Sequence, residues 1–254
     1  MADIAKWNIS DTNAGILLSN NYFTAKATTT AHKSARCDTF KSSGKWYWEI
    51  TINTGNVTDG YVFIGIGTSS ATISSYLCSN AYGWGYDLGA RKCTNATFGA
   101  YGAEAGTGSI ISVLLDLDAG TLIFWKNGST QGTAYTGLSG SFAPMVSLYA
   151  ANLQITANFG FNFGDGDFTY EIPEGYSKFQ PTVEISGVVE VEGAAAERTV
   201  RVHDRLTGEI LGETTSDSGD GSYEIDIPDE SDIYVVCLDT DHTYNDLIYG
   251  KSNI

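Results

Sequence analysis

Apolar and polar residues alternate along this chain in short runs, most of them closed by Gly, Asn or Asp. The clearest stretch is residues 108–128, GSIISVLLDLDAGTLIFWKNG. Two apolar runs rich in β-branched and aromatic side chains, residues 110–117 and 121–126, flank the turn Asp118-Ala119-Gly120. The second run ends in Asn127-Gly128. Such runs predict buried strands joined by tight turns, because Asp and Asn side chains bond nearby backbone and Gly reaches positive φ. Beyond Pro181, residues 183–189, 199–204, 222–227 and 233–238 alternate as strands with one wet face do. Thr207-Gly208 and residues 217–221 supply turns between them. No window carries a sustained 3.6-residue period, so almost no long helix is expected and the class is all-β.

Composition fits that class and marks a break. A chain of 254 residues can hold two domains. Its 29 Gly, 15 Tyr, 11 Phe and 5 Trp suit a turn-rich protein with a real core, and charged residues, at 17%, fall below the usual share. The net charge of −16 is uneven: residues 1–179 carry −3 and residues 180–254 carry −13. The shift around Pro181 predicts two β-sandwich domains, residues 1–179 and 180–254. The acidic second domain repels phosphate backbones, so no nucleic-acid partner is expected, and its charge is read first as a solubilising surface. Residues 1–15 lack an apolar segment behind a basic one, and no run reaches 18 apolar residues, so neither a signal peptide nor membrane insertion is expected.

Six segments carry a family resemblance. Residues 44–50 (GKWYWEI), 60–68 (GYVFIGIGT), 82–87 (YGWGYD), 108–128, 142–148 (FAPMVSL), and Asn158-Phe159-Gly160 followed by 173–176 (PEGY) occur in this order. Together they resemble the SPRY (B30.2-like) domain, a β-sandwich, over residues 6–176. That resemblance implies partner binding without catalysis, through loops at one end of the sandwich. Residues 187–189 (GVV), 200–209 (VRVHDRLTGE), 211–217 (LGETTSD) and 220–225 (DGSYEI) resemble the small carboxypeptidase-regulatory-like sandwich of prealbumin/Ig-like type. The tail, residues 244–249 (YNDLIY), is similar to the ending of that module in structural proteins of tailed bacteriophages.

The combined resemblance implies a non-enzymatic bacteriophage virion structural protein, located in the virion after synthesis in the host cytoplasm. A tail or baseplate component for recognition or host adsorption is the first expectation. A capsid decoration protein is the alternative, and an intracellular protein-recognition adaptor a further one. The expected partners are other virion proteins and a host surface glycan or protein. Any homo-oligomer is expected to form through the nearly neutral first domain.

The sequence offers little chemistry. His32, His203 and His242 stand in no motif with Ser or Cys, so no catalytic residue is assigned. Cys37, Cys78, Cys93 and Cys237 show no CxxC spacing, which argues against zinc and against a disulfide framework. Cys78 and Cys93 could pair in space, which the sequence leaves undecided. Cys237 reads as a buried small hydrophobe. No cofactor is expected. Asp217 and Asp220 are the residues that would take a calcium ion, but the loop lacks the alternating ligands and distant Glu of a calcium loop and reads more simply as a hairpin turn. The candidate partner-binding loop is residues 86–108, with Tyr86, Asp87, Arg91, Lys92, Asn95 and Tyr101, because Tyr beside Gly, Asn and Ser gives adaptable contacts at low entropy cost. Trp48, Ile64, Leu115 and Phe124 are the expected core.

Overall fold

The computed structural model describes residues 4–54, 61–160, 168–208, 210–228, 232–238 and 247–252. His242 and residues 244–246 of the tail lie outside them. Every regular element among the described residues is a strand. The chain divides into two compact units, Ala5–Phe179 and the residues that follow Phe179.

The first unit begins with β1 (Trp7–Thr12), β2 (Ile16–Ser19), β3 (Thr24–Ala27), β4 (Lys33–Cys37) and β5 (Lys45–Thr54). It continues with β6 (Val62–Gly67), β7 (Gly83–Asp87), β8 (Arg91–Thr94), β9 (Thr97–Ala100) and β10 (Ile110–Asp116). β11 (Thr121–Lys126), β12 (Ser129–Tyr135), β13 (Ala143–Leu148), β14 (Gln154–Asn158) and β15 (Ser177–Lys178) complete it. One sheet runs β1-β4-β13-β6-β7-β8-β9. The other runs β12-β11-β10-β5-β14-β3-β2, with β15 parallel to the start of β5.

The turn chemistry acts where the alternation predicts it. Asp116 Oδ1 accepts the Asp118 and Ala119 N–H groups, and Gly120 adopts φ 65°, so β10 reverses into β11. Asn127 and Gly128 both take positive φ, which the two-residue connection from β11 to β12 requires. Trp48, Ile64, Leu115 and Phe124 are fully buried. Tyr86 of one sheet meets Phe124 of the other at 5.6 Å between ring centroids. Trp48 packs edge-on against Phe179, and Phe179 in turn against Phe159, closing one part of the core with aromatic rings.

Both faces of the central strands of the first sheet are covered, and this positions the site. Period-two alternation sends Val62, Ile64 and Ile66 of β6 to the face shared with the second sheet, and Phe63, Gly65 and Gly67 to the other. Phe63 is nonetheless buried, packed with Ala71, Leu77, Cys78, Cys93 and Met145. The connection from β6 to β7 supplies that cover.

The second unit contains β16 (Thr182–Val188), β17 (Glu190–Val191), β18 (Ala194–Ala195) and β19 (Thr199–Asp204). β20 (Ile210–Thr215), β21 (Ser222–Pro228), β22 (Asp232–Leu238) and β23 (Leu247–Ser252) follow. β16 pairs with β21, and a second sheet runs β20-β19-β22-β23. Val200, Val202, Ile225, Ile227, Ile233 and Val235 form its apolar cluster. Exposed Glu184 and Asp226 stand directly opposite on the wet face of β16 and β21, a like-charge pair that contributes no stability.

Candidate functional site

Residues 68–82 lie over the outer face of the first sheet and are tied to it along their length. The Arg36 guanidinium donates to the Thr68 carbonyl while its other nitrogens hold Asp11. Ser34 N–H donates to the Ile73 carbonyl, and Ser34 Oγ to Ser75 O at 2.6 Å. Ser147 Oγ, 2.6 Å from Ser34 Oγ, accepts the Leu77 N–H at 2.7 Å. A disulfide joins Cys78 to Cys93 of β8. The close approach depends on glycine: a Cβ on Gly83 would overlap the Leu77 carbonyl oxygen and lie 2.8 Å from Leu77 Cδ1.

The segment carries Tyr76 into a platform of six rings contributed by separate parts of the chain. His32 precedes β4, Tyr61 precedes β6, Phe63 lies within β6, Phe98 sits on β9 and Tyr149 follows β13. Centroid distances are 4.7 Å for His32–Tyr149, 5.3 Å for His32–Tyr76, 4.9 Å for Tyr61–Tyr149 and 5.3 Å for Phe63–Tyr76. Phe98 adjoins Phe63 and Tyr76 and receives the Arg91 guanidinium at 4.9 Å. Phe63 forms the floor, while His32, Tyr61, Tyr76 and Tyr149 are half-buried and Phe98 is exposed. Among the described residues no hydrogen bond engages the hydroxyls of Tyr61, Tyr76 or Tyr149. His32 Nδ1 is buried without a partner. Burial lowers the His32 pKa, which favours the neutral ring.

Of the residues expected from the sequence to bind a partner, Arg91 reaches the platform through Phe98 of the same segment, and most of the others are engaged internally. Tyr86 is fully buried. Its hydroxyl donates to the Ala103 carbonyl, and burial pushes its pKa up to about 12. Asp87 is also fully buried, pairs with Arg91 at 2.6 Å and accepts the Gly89 N–H. Lys92 Nζ donates to the Ala134 carbonyl at 2.6 Å, and Tyr101 to the Gly132 carbonyl at 2.6 Å. These bonds close the sandwich edge between β8–β9 and β12. Asn95, at positive φ in the β8–β9 turn, is exposed. Tyr101 also accepts the Phe124 N–H. Tyr101→Phe is therefore expected to lower stability by about 1–2 kcal/mol, read in chemical denaturation, because both bonds go and one buried donor is left unmet.

The other candidates resolve in the same way. Asp217 Oδ1 accepts the Gly219 and Asp220 N–H groups, and Asp220 Oδ1 accepts that of Ser222, so both carboxylates serve the hairpin turn. No group of three His, Cys, Asp or Glu suited to a metal ion occurs among the described residues. His203 stacks on Tyr234 with its Nδ1 3.1 Å from the Gly208 carbonyl. Cys37 is buried, with burial pushing its thiol pKa up, whereas Cys237 is partly exposed at the edge of its apolar cluster.

The two-sheet sandwich defines a class of fold. Residues 45–162 match the SPRY domain, and the chain carries one. The solved SPRY domain of human HERC1 superposes with a TM-score of 0.52 at 16% identity, covering 59% of this chain and 96% of that one. The TRIM65 PSpry domain gives 0.51 at 16%, covering 61% and 92%. Among curated proteins, Ran-binding protein 9 of Xenopus tropicalis is 31% identical over 143 residues, 56% of this chain and 26% of the relative. Ran-binding protein 10 of Danio rerio is 28% identical over 142 residues, 55% of this chain and 23% of the relative. The chain thus spans about a quarter of the length of these relatives.

These relatives correct the expectation of a bacteriophage virion protein. With it go the tail, host-adsorption and capsid-decoration roles, the virion partners and the virion location, since the matched proteins are vertebrate Ran-binding proteins. The virion context rested on the tail and on a domain pairing, neither of which any physical feature of the SPRY sandwich supports.

Proposed function

We propose that the first unit recognises a protein partner, without catalysis, as an intracellular protein-recognition adaptor does, and that the ring platform makes the contact. The observation that carries this reading is the division among the tyrosines. Tyr86, Tyr101 and Tyr135 spend their hydroxyls on backbone carbonyls within the sandwich. Tyr61, Tyr76 and Tyr149 keep theirs for solvent or a partner, beside a His ring with an unmet nitrogen. Rings whose centroids lie 4.7–5.7 Å apart touch one another, so the platform is a packed surface and not a cage open to a cation. Lys33 donates to the Ser74 carbonyl and Arg91 holds Asp87, so the cations beside the platform are committed and suit a phosphate poorly. An uncharged polypeptide segment with apolar and amide or hydroxyl side chains fits this chemistry best. The curated relatives are named for binding Ran, which makes Ran the first defined candidate.

The second unit, with two sheets around one apolar cluster, supports the reading of a carboxypeptidase-regulatory-like sandwich beginning near residue 180. Its acidic face is proposed to stay in solvent.

The test is calorimetric titration of the full chain with purified Ran and with uncharged peptides selected from a displayed library. Tyr149→Ala and Tyr76→Ala are each expected to weaken a true partner by at least about tenfold, as aromatic anchors do, with Tyr22→Ala as the control. Equal binding by all three variants would move recognition off the platform.

A further inference from the structure

We infer that the Cys78–Cys93 disulfide is a redox latch on the recognition platform, an inference that rests on the proposed role of that surface. An intracellular setting is reducing, and a disulfide there is in general transient or sensing instead of a permanent staple. Here the bond joins two pieces that carry platform rings. Cys78 follows Tyr76 by two residues in the covering segment, and Cys93 lies opposite Phe98 in the β8–β9 hairpin. The same junction is held by the Ala96 N–H on the Cys78 carbonyl at 2.7 Å and the Asn95 N–H on the Asn80 carbonyl at 3.1 Å.

Geometry makes the two redox states differ. The disulfide ties the segment to β8 directly, whereas the reduced thiols leave, among the described residues, only the Ala96 and Asn95 N–H bonds across this junction. Reduction therefore loosens the end of the segment over the sheet. Both thiols remain in an apolar cluster of Phe63, Ala71, Leu77 and Met145, where thiols behave as small hydrophobes. The ties of Thr68, Ile73, Ser75 and Leu77 to Arg36, Ser34 and Ser147 do not involve sulfur. The sandwich core faces the other sheet. The reduced unit thus keeps its fold and loses order only at the platform.

The chemistry is thiol–disulfide exchange. A thiolate of a dithiol reductant attacks one cysteine sulfur, forming a mixed disulfide and expelling the other sulfur as a thiolate that takes up a proton. The second sulfur of the dithiol then closes on the first and releases the remaining cysteine, so two electrons and two protons pass to the protein. Both sulfurs are buried, Cys78 at 0% and Cys93 at 1% exposure, so attack follows a local opening of the segment.

The experiment treats the full chain with dithiothreitol without denaturant, counts thiols by alkylation and mass, and follows amide hydrogen exchange. The oxidised chain has two free thiols, Cys37 and Cys237, and the expected result is four after treatment. Exchange over residues 74–82 and 93–98 is expected to rise by about tenfold or more while β5, β10 and β13 keep their protection. The Cys78→Ala/Cys93→Ala chain should show the raised exchange with or without reductant. Failure to reduce without denaturant, reduction with unchanged exchange, or loss of protection throughout the sandwich would each overturn the latch. None of these readouts uses a partner, so a platform that binds nothing leaves them intact, and a failed latch leaves the titration intact.

Discussion

Trp48→Ala is expected to cost about 3–5 kcal/mol of stability in denaturant unfolding, the range for truncating a large buried aromatic. The indole is wholly shielded on β5, the strand flanked by β10 and β14. It packs edge-on against Phe179 at 5.1 Å, and Phe179 leans on Phe159 and Trp46. Removing the ring deletes apolar burial and opens a cavity that two sheets cannot collapse to fill, since β5 is hydrogen-bonded on both sides along its length. The loss should be seen equally by tryptophan fluorescence and far-ultraviolet circular dichroism. A loss below about 1 kcal/mol would mean that the site relaxes freely, contrary to close packing there.

Gly83→Ala is the second large effect, at about 2–3 kcal/mol or more. The new Cβ meets the Leu77 backbone carbonyl, not a flexible side-chain end. Either β7 or the covering segment must then move. The segment is the weaker party, because it is held by single tethers and β7 by ladders on both sides. The expected signature is thus loss of stability together with raised exchange at residues 73–78, while Gly132→Ala, whose Cβ would meet nothing but whose φ of 81° is strained, should cost less and leave the platform alone.

The sandwich was legible because its information is local. Asp116, Gly120, Asn127 and Gly128 mark turns by their own side chains or their own φ, and alternation assigns each strand residue a face. The platform was not legible for the opposite reason. His32, Tyr61, Tyr76, Phe98 and Tyr149 come from five connections or strand ends, and only the β4-β13-β6-β7-β8-β9 order brings them together. Local composition in residues 86–108 points to Tyr86, Lys92 and Tyr101, which bond backbone carbonyls at the sandwich edge, while Arg91 of the same segment stacks on the platform ring Phe98. One signal was available: β6 carries no polar side chain on either face, which means that something must cover the outer one, and Tyr61 and Tyr149 continue the outer faces of β6 and β13 past the strand ends. The Cys78–Cys93 pairing had no such signal, since a separation of 15 residues marks no motif.

The most direct test of the platform as the recognition surface is amide hydrogen exchange of the full chain with and without a saturating bound partner. Added protection is expected at residues 61–63, 73–77, 97–99 and 148–150, with β12 and residues 101–106 unchanged. Added protection at β12 and residues 101–106, with the platform segments unchanged, would contradict it.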